Sequence, residues 1–258
     1  MPPPFNSLQF FKKGQENTII ENVMFKYKKE EDVSYTLGTT LSIELLKRKK
    51  EAANRLYISP KQLHDETYEK LLALAQEANI PVIENNDRIF KDLSDKDNVM
   101  AIVEFQKFKA PLEPKANHVV LVNPSNMGNL GTIIRAMAGF SLLNLAIIKP
   151  ACDIYDPKVI RASMGALFDI HFELFDSFAE YQKAYPVHHF YPFMLQATTP
   201  LKSVKKEEPF ALIFGNEATG LDRSYLGLGT PLIIPHSDLI DSLNLDNAVS
   251  IGLYEFTK

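Results

Sequence analysis

The chain reads as an α/β protein, a small α/β unit followed by a larger one whose mostly parallel sheet carries helices on both faces. Three observations predict this. Apolar strand-like runs alternate with helical periodicities through the second half. Pro111, Pro114 and the charges between them interrupt the pattern and suggest a linker. Three clusters rich in glycine and asparagine fall where apolar strands end, and ligands of open α/β sheets bind at such ends.

Taken in order, residues 1–20 are polar apart from Phe10-Phe11 and predict an irregular arm. From Tyr35 the pattern becomes regular. Leu41, Leu45 and Leu46 at helical spacing predict a helix over residues 41–54, followed by a short strand at 55–59 that Pro60 stops. Asp65 opens a second helix, 65–78, because a carboxylate there accepts from free helix amides; Leu71, Leu72 and Leu74 point inward. Strands at 81–84 and 101–108 complete a small α/β sandwich within residues 1–110, and 111–117 form the linker. The second unit, 118–258, has predicted strands at 119–122, 143–148, 168–172, 190–195, 210–214 and 232–234. Pro192 marks the 190–195 strand as an edge or a bulge. Helices are predicted at 130–138 and 244–256, the latter with Ala248, Ile251, Leu253 and Tyr254 inward.

Composition bounds the function. A chain of 258 residues, 45% hydrophobic, can bury a proper core. The net charge of −4, with a balanced first unit and an acidic second, argues against a generally basic nucleic-acid binder. RNA contact would have to come from local patches, of which Lys47-Arg48-Lys49-Lys50 with Arg55 is the densest; the same run also reads as a solvated helix end. No stretch has the length of a membrane span and none resembles a signal peptide, so a cytoplasmic protein is expected. Cys152 is the only cysteine, which excludes disulfides within the chain, and it has no His or Lys beside it to make it reactive. The six histidines lack ligand spacing, so no metal site is expected. The dinucleotide glycine fingerprint, the phosphate loop and the serine elbow are all missing.

What remains is a polar constellation of Asn129, Arg135, Glu217, Ser242 and Asn244. Singly, each has a bland reading: Asn129 caps a helix, Arg135 pairs with a surface acid, Glu217 sits in a turn. Asn126-Met127-Gly128 also duplicates the look of Asn129-Leu130-Gly131; the spacing to Arg135 favours Asn129.

The clusters resemble the three motifs of the SpoU (TrmH-like) branch of the SPOUT RNA 2′-O-ribose methyltransferases. They are Asn129-Leu130-Gly131-Thr132-Ile133-Ile134-Arg135, then Phe214-Gly215-Asn216-Glu217 with Thr219-Gly220-Leu221, then Ile234-Pro235 and Ser242-Leu243-Asn244 closed by Leu253-Tyr254-Glu255. Residues 157–166 join this likeness, which spans about 118–258; residues 35–108 are more loosely similar to the small substrate-binding domain that often precedes it. The resemblance implies a C-terminal trefoil knot, a homodimer with its pocket near the subunit boundary, S-adenosylmethionine as methyl donor and RNA as substrate. It assigns cofactor contacts to the loops around Thr198, Gly215, Ile234 and Leu243, and the catalytic arginine to Arg135. Since guanidinium stays protonated, Arg135 is expected to hold the target phosphate and stabilise the developing alkoxide. Asn129 and Glu217 would orient it, while Ser242 and Asn244 support the cofactor loop and ribose. His236 and Asp238 stand where relatives often carry Met and Gly, and Asp246 where small or β-branched residues are common. Ribosomal RNA is favoured over transfer RNA by analogy with two-domain relatives. Two competitors are a non-catalytic RNA-binding or assembly factor with the same fold, and an enzyme using another nucleotide cofactor, against which the missing glycine fingerprint counts.

Overall fold

The computed structural model describes residues 24–96 and 98–258, so the arm predicted for 1–20 lies outside the described residues. The first unit is a four-stranded sheet of β1 (Val33–Leu37), β2 (Ala53–Ile58), β3 (Val82–Ile83) and β4 (Ala101–Gln106), in the order β1-β4-β2-β3. The helix α1 (Thr39–Arg48) buries Leu41, Leu45 and Leu46 as their spacing predicts, but it stops at Arg48 rather than at residue 54. Lys49 leaves the helical region at φ −144°, and a single tight turn at Lys50–Ala52 feeds the chain into β2. Asp65 caps α2 (Glu66–Glu77), accepting from the amides of Thr67 and Tyr68. Two elements escaped the pattern, β1 and α3 (Asp87–Leu93). β1 hides because Ser34 and Thr36 are buried polar residues: Ser34 Oγ donates to the Tyr155 carbonyl at 2.6 Å, and Thr36 Oγ1 accepts from Val103 N at 2.9 Å.

The second unit holds five parallel strands in the order β7-β6-β5-β10-β8. They are β5 (His118–Val122), β6 (Asn144–Ile148), β7 (His171–Phe175), β8 (His189–Pro192) and β10 (Phe210–Phe214); β9 (Thr199–Pro200) and β11 (Leu232–Ile233) pair separately. β8 is an edge strand, as Pro192 predicted. β7 begins at His171 rather than at 168, because Gly165, at φ +88°, starts a tight turn over Ala166–Phe168 that buries Leu167 and Phe168 first.

Four helices cover this sheet: α4 (Met127–Gly139), α5 (Pro157–Ala162), α6 (Phe178–Ala184) and α7 (Leu245–Thr257). The inward face of α7 departs from expectation. Leu245, Val249, Gly252, Leu253 and Phe256 are buried, whereas Ile251 and Tyr254 are 39% and 59% exposed. Gly252 sets that face: a Cβ there would stand 3.0 Å from the ring tips of Phe193 and Phe214. Helices α4 and α5 approach as closely at Gly131, where a Cβ would lie 2.4 Å from that of Ala162.

One continuous apolar cluster runs through both units, from Leu45, Leu56 and Phe105 to Leu121, Ile133 and Phe214. The linker between them is pinned. Glu113 N donates to Asn144 Oδ1 at 2.8 Å, and three imidazoles reach carbonyls of the linker: His171 to Pro111, His118 to Glu113 and His188 to Ala116, at 2.8, 2.9 and 2.9 Å. A carbonyl only accepts, so His118 carries its proton on Nε2 and its Nδ1 accepts from the Tyr181 hydroxyl at 3.0 Å. Burial, outweighing the bond to Glu113, lowers the His118 pKa to about 4.

That shift has a measurable sign. The folded ring binds its proton near pH 4, whereas an unfolded histidine does so near pH 6.5, so acidification across that window favours unfolding. The unfolding free energy from urea titrations should fall between pH 6.5 and 4, by up to ~3 kcal/mol from this residue. A His118→Gln chain, which cannot titrate there, should show a shallower acid slope.

Candidate active site

The order of strands reverses between β5 and β10, which are parallel neighbours. Loops leaving their C-terminal ends therefore flank a crevice, residues 123–126 on one side and 215–221 on the other. Glu217 closes it. Its Oε2 accepts from Ser125 N at 3.1 Å and Ser125 Oγ at 2.9 Å; its Oε1 accepts from Asn126 N at 3.0 Å and Asn129 Nδ2 at 3.4 Å. Partial burial pushes this carboxyl upward, but the amides of Glu217, Ser125 and Asn126 and the Ser125 hydroxyl outweigh it, leaving the pKa below the usual range. An ionised carboxylate thus sits at the positive end of α4.

Asn126, not Asn129, caps that helix, its Oδ1 accepting from the amides of Gly128 and Asn129 at 2.8 and 3.1 Å. The helix consequently starts at Met127 rather than at 130, and the Asn129 amide is left to reach Glu217. Asn216 builds the opposite loop. Its Nδ2 donates to the Asn123 carbonyl at 2.8 Å, while its Oδ1 accepts from Ala218 N at 2.9 Å, an Asx turn. Gly215 lets the loop fold onto itself, since a Cβ there would lie 2.1 Å from the carbonyl carbon of Gly220. Sequence reasoning gives roles to Glu217 and Asn129, sets Asn126 aside in favour of Asn129, quotes Asn216 only as part of a motif, and has no signal for Asn123 or Ser125.

Beside this tie, between the ends of β8 and β10, lies a cavity of about 210 Å³. Its floor includes Phe193 and Phe214, stacked at 4.3 Å and 20°, with Leu232 and Ala248 beside them. Gly215, Glu217, Ile234, Ser242 and Leu243 line it, so five of the nine expected catalytic and cofactor residues meet in one pocket, joined by Leu195, Gln196 and His236. The other four do not line it. Thr198 is exposed two residues beyond Gln196, and Asn244 is exposed at the start of α7, its carbonyl accepting from Ala248 N at 3.0 Å. Asn129 lies behind Glu217. Arg135 is exposed on α4, and its side chain makes no hydrogen bond or ion pair among the described residues.

The basic run divides. Lys47 and Lys50 are exposed, Arg48 pairs with Glu44 and Asp169, and Arg55 pairs with Glu104 at 3.2 Å. Lys49 lies 5.3 Å above the ring of Phe108. Cys152 is half-buried, and burial raises its thiol to about 11, in line with an inert role. Among the described residues no group of three or more His, Cys, Asp or Glu is placed to hold a metal ion, and no helix is long and apolar enough to cross a membrane. The pocket joins an aromatic floor to a rim of loop backbone, which suits a ligand carrying a flat heteroaromatic ring on a polar chain.

Residues 116–254 match the model of the SpoU rRNA Methylase family, and residues 36–108 match that for RNA 2′-O ribose methyltransferase substrate binding. The chain is 29% identical over 177 residues to a 23S rRNA (uridine(2479)-2′-O)-methyltransferase of Streptomyces viridochromogenes, covering 62% of this chain and 60% of that protein. It is 31% identical over 143 residues to the 23S rRNA (guanosine(2553)-2′-O)-methyltransferase RlmP of Bacillus subtilis, covering 54% and 57%. The chain thus spans about three-fifths of the length of these curated relatives. A tRNA (cytidine(34)-2′-O)-methyltransferase homologue of Listeria innocua aligns to 54% of this chain and 85% of its own length. In fold, the chain is similar to the AdoMet-bound rRNA methyltransferase of Sinorhizobium meliloti, with a TM-score of 0.74 and 23% identity over 87% of this chain and 86% of that one.

The Glu217 tie is testable by Glu217→Gln. The amide cannot accept at both oxygens, so one set of donors must turn to water, a cost of about 0.5–1.5 kcal/mol. Thermal melts at neutral pH should show the loss. The gap to the wild type should close only in acid below the ordinary carboxylate range, where Glu217 itself takes a proton.

Proposed function

Because the chain belongs to the SpoU rRNA methylase family, we propose that it methylates a ribose 2′-hydroxyl of RNA, with ribosomal RNA as substrate and S-adenosylmethionine as donor. The carrying observation is the pocket itself, an aromatic floor under a glycine-shaped backbone rim at the ends of parallel strands. Relatives whose names place them on 23S rRNA support the substrate, as does the match of residues 36–108 to a substrate-binding unit. We place the small RNA-binding unit in residues 1–110, the linker in 111–117 and the catalytic domain in 118–258.

When bound, the cofactor supplies a methyl group already activated on a sulfonium. The residues have two tasks: to hold the acceptor oxygen in line and to favour loss of its proton, and alignment alone is worth ~7–11 kcal/mol. Backbone groups at Gly215, Ile234 and Leu243, with the turn from Gln196 to Thr198, hold the cofactor. Ser242 and Asn244 support the target ribose. Arg135 binds the target phosphate and stabilises the developing oxyanion without giving up its own proton. Glu217 and Asn129 act at one remove by fixing the start of the helix that bears it.

Arg135 does not line its own chain's pocket, and α4 packs beside α7, whose Ile251 and Tyr254 are exposed. These features support a homodimer in which Arg135 serves the pocket of a second copy. A C-terminal knot fits as well: Lys206 Nζ donates to the Glu255 carbonyl, and the turn at Leu201–Ser203 packs on α7, so the segment before β10 embraces the final helix. A cytoplasmic setting accords with an RNA substrate.

Incubation of the protein with total RNA and tritiated cofactor, followed by mapping of the labelled ribose, tests the activity; label on transfer RNA alone, or none at all, would overturn the ribosomal assignment. Arg135→Lys should lower single-turnover methyl transfer at least ~100-fold. Mixed dimers of Arg135→Ala with Gly215→Val should regain activity that neither homodimer has, if Arg135 acts across the subunit boundary.

A further inference from the structure

We propose that RNA approaches the active site along a strip of unpaired cations crossing three neighbouring helices, from Lys47 on α1, over Lys158 and Arg161 on α5, to Arg135 on α4. This rests on the RNA-directed reading above and supplies its route.

Two close approaches link these elements: α4 packs on α5, and α1 meets the chain just beyond α5. A Cβ on Gly165, just beyond α5, would stand 2.8 Å from Glu44 Cβ on α1. A Cβ on Gly131 of α4 would stand 2.4 Å from Ala162 Cβ at the end of α5. Each cation lies within about a turn of these contacts: Lys47 three residues after Glu44, Arg161 beside Ala162, Arg135 four residues after Gly131. Lys158 is one turn before Arg161 and Ala162. The tight turn Ala166–Phe168 packs on both α1 and α4, so the two ends of the strip are one element apart, a span that a short single strand can follow.

The cations are uncompensated. Lys47, Lys158 and Arg135 are exposed and Arg161 is half-buried, and none of their side chains has an ion pair or hydrogen bond among the described residues. Arg48, one residue from Lys47, is held by both Glu44 and Asp169. In a chain of net charge −4 such a line of positive potential is the local patch that an RNA backbone would follow.

The test is filter binding of deproteinised ribosomal RNA across a potassium chloride series, using the triple variant Lys47→Ala, Lys158→Ala, Arg161→Ala. A control triple replaces Lys61, Lys70 and Lys183, all exposed and none of them on α1, α4 or α5. Three lost phosphate contacts should reduce affinity at least ~10-fold and flatten the log–log salt slope by about 2. The control should change neither, and calorimetry should find S-adenosylmethionine affinity unaltered in both. An unchanged slope in the strip variant, or an equal loss in the control, overturns the route. If the wild type binds no S-adenosylmethionine while the strip variant still loses RNA, the route stands and the methyltransferase reading falls.

Discussion

The site depends on one carboxylate. Glu217 leaves β10 yet spends its oxygens on the loop after β5 and on the first turn of α4. Two loops of separate chain origin, 92 residues apart at Ser125 and Glu217, are thereby locked at a fixed separation. The negative charge is stabilised by backbone amides and a helix terminus rather than by a cation, so no side-chain entropy of a long lysine or arginine is spent in holding it. With the crevice between β5 and β10 tied shut, the open pocket falls one strand along, between β10 and β8.

Much of this was legible in the sequence because it rests on local chemistry. The apolar run at Phe210–Phe214, the proline in β8 and the cap at Asp65 each carry their own physical signal, and each appears where it was read. What failed depended on tertiary partners. Polar Ser34 and Thr36 look unsuited to a buried strand until Tyr155 and Val103 supply their bonds. The stripe of α7 could not be chosen correctly without knowing that two phenylalanine rings press on Gly252. At the site, the motif residues Gly215, Glu217, Ile234, Ser242 and Leu243 converge. Arg135 does not join them, because helical pitch turns it outward from the buried Ile133 and Ile134.

Glycine does much of its work here by absence. At Gly131, Gly215 and Gly252 a single added carbon would press on a neighbour, at 2.4, 2.1 and 3.0 Å respectively. These contacts join α4 to α5, fold the loop after β10 upon itself, and seat α7 beneath the aromatic floor. The arginine-bearing helix α4, the loop after β10 and α7 are consequently seated by close contacts that leave no room for a side chain at these three positions.

The pinned connection at Pro111, Glu113 and Ala116 carries this rigidity between the units. With the connection clasped at three carbonyls and a shared apolar interior behind it, the first unit is held to the second by more than the chain that joins them. For the RNA proposed above, the two points of contact would then have to match the separation the protein already has. On that proposed reading, selection would work as a caliper does: a molecule with the right nucleotide but the wrong spacing would touch one jaw and miss the other.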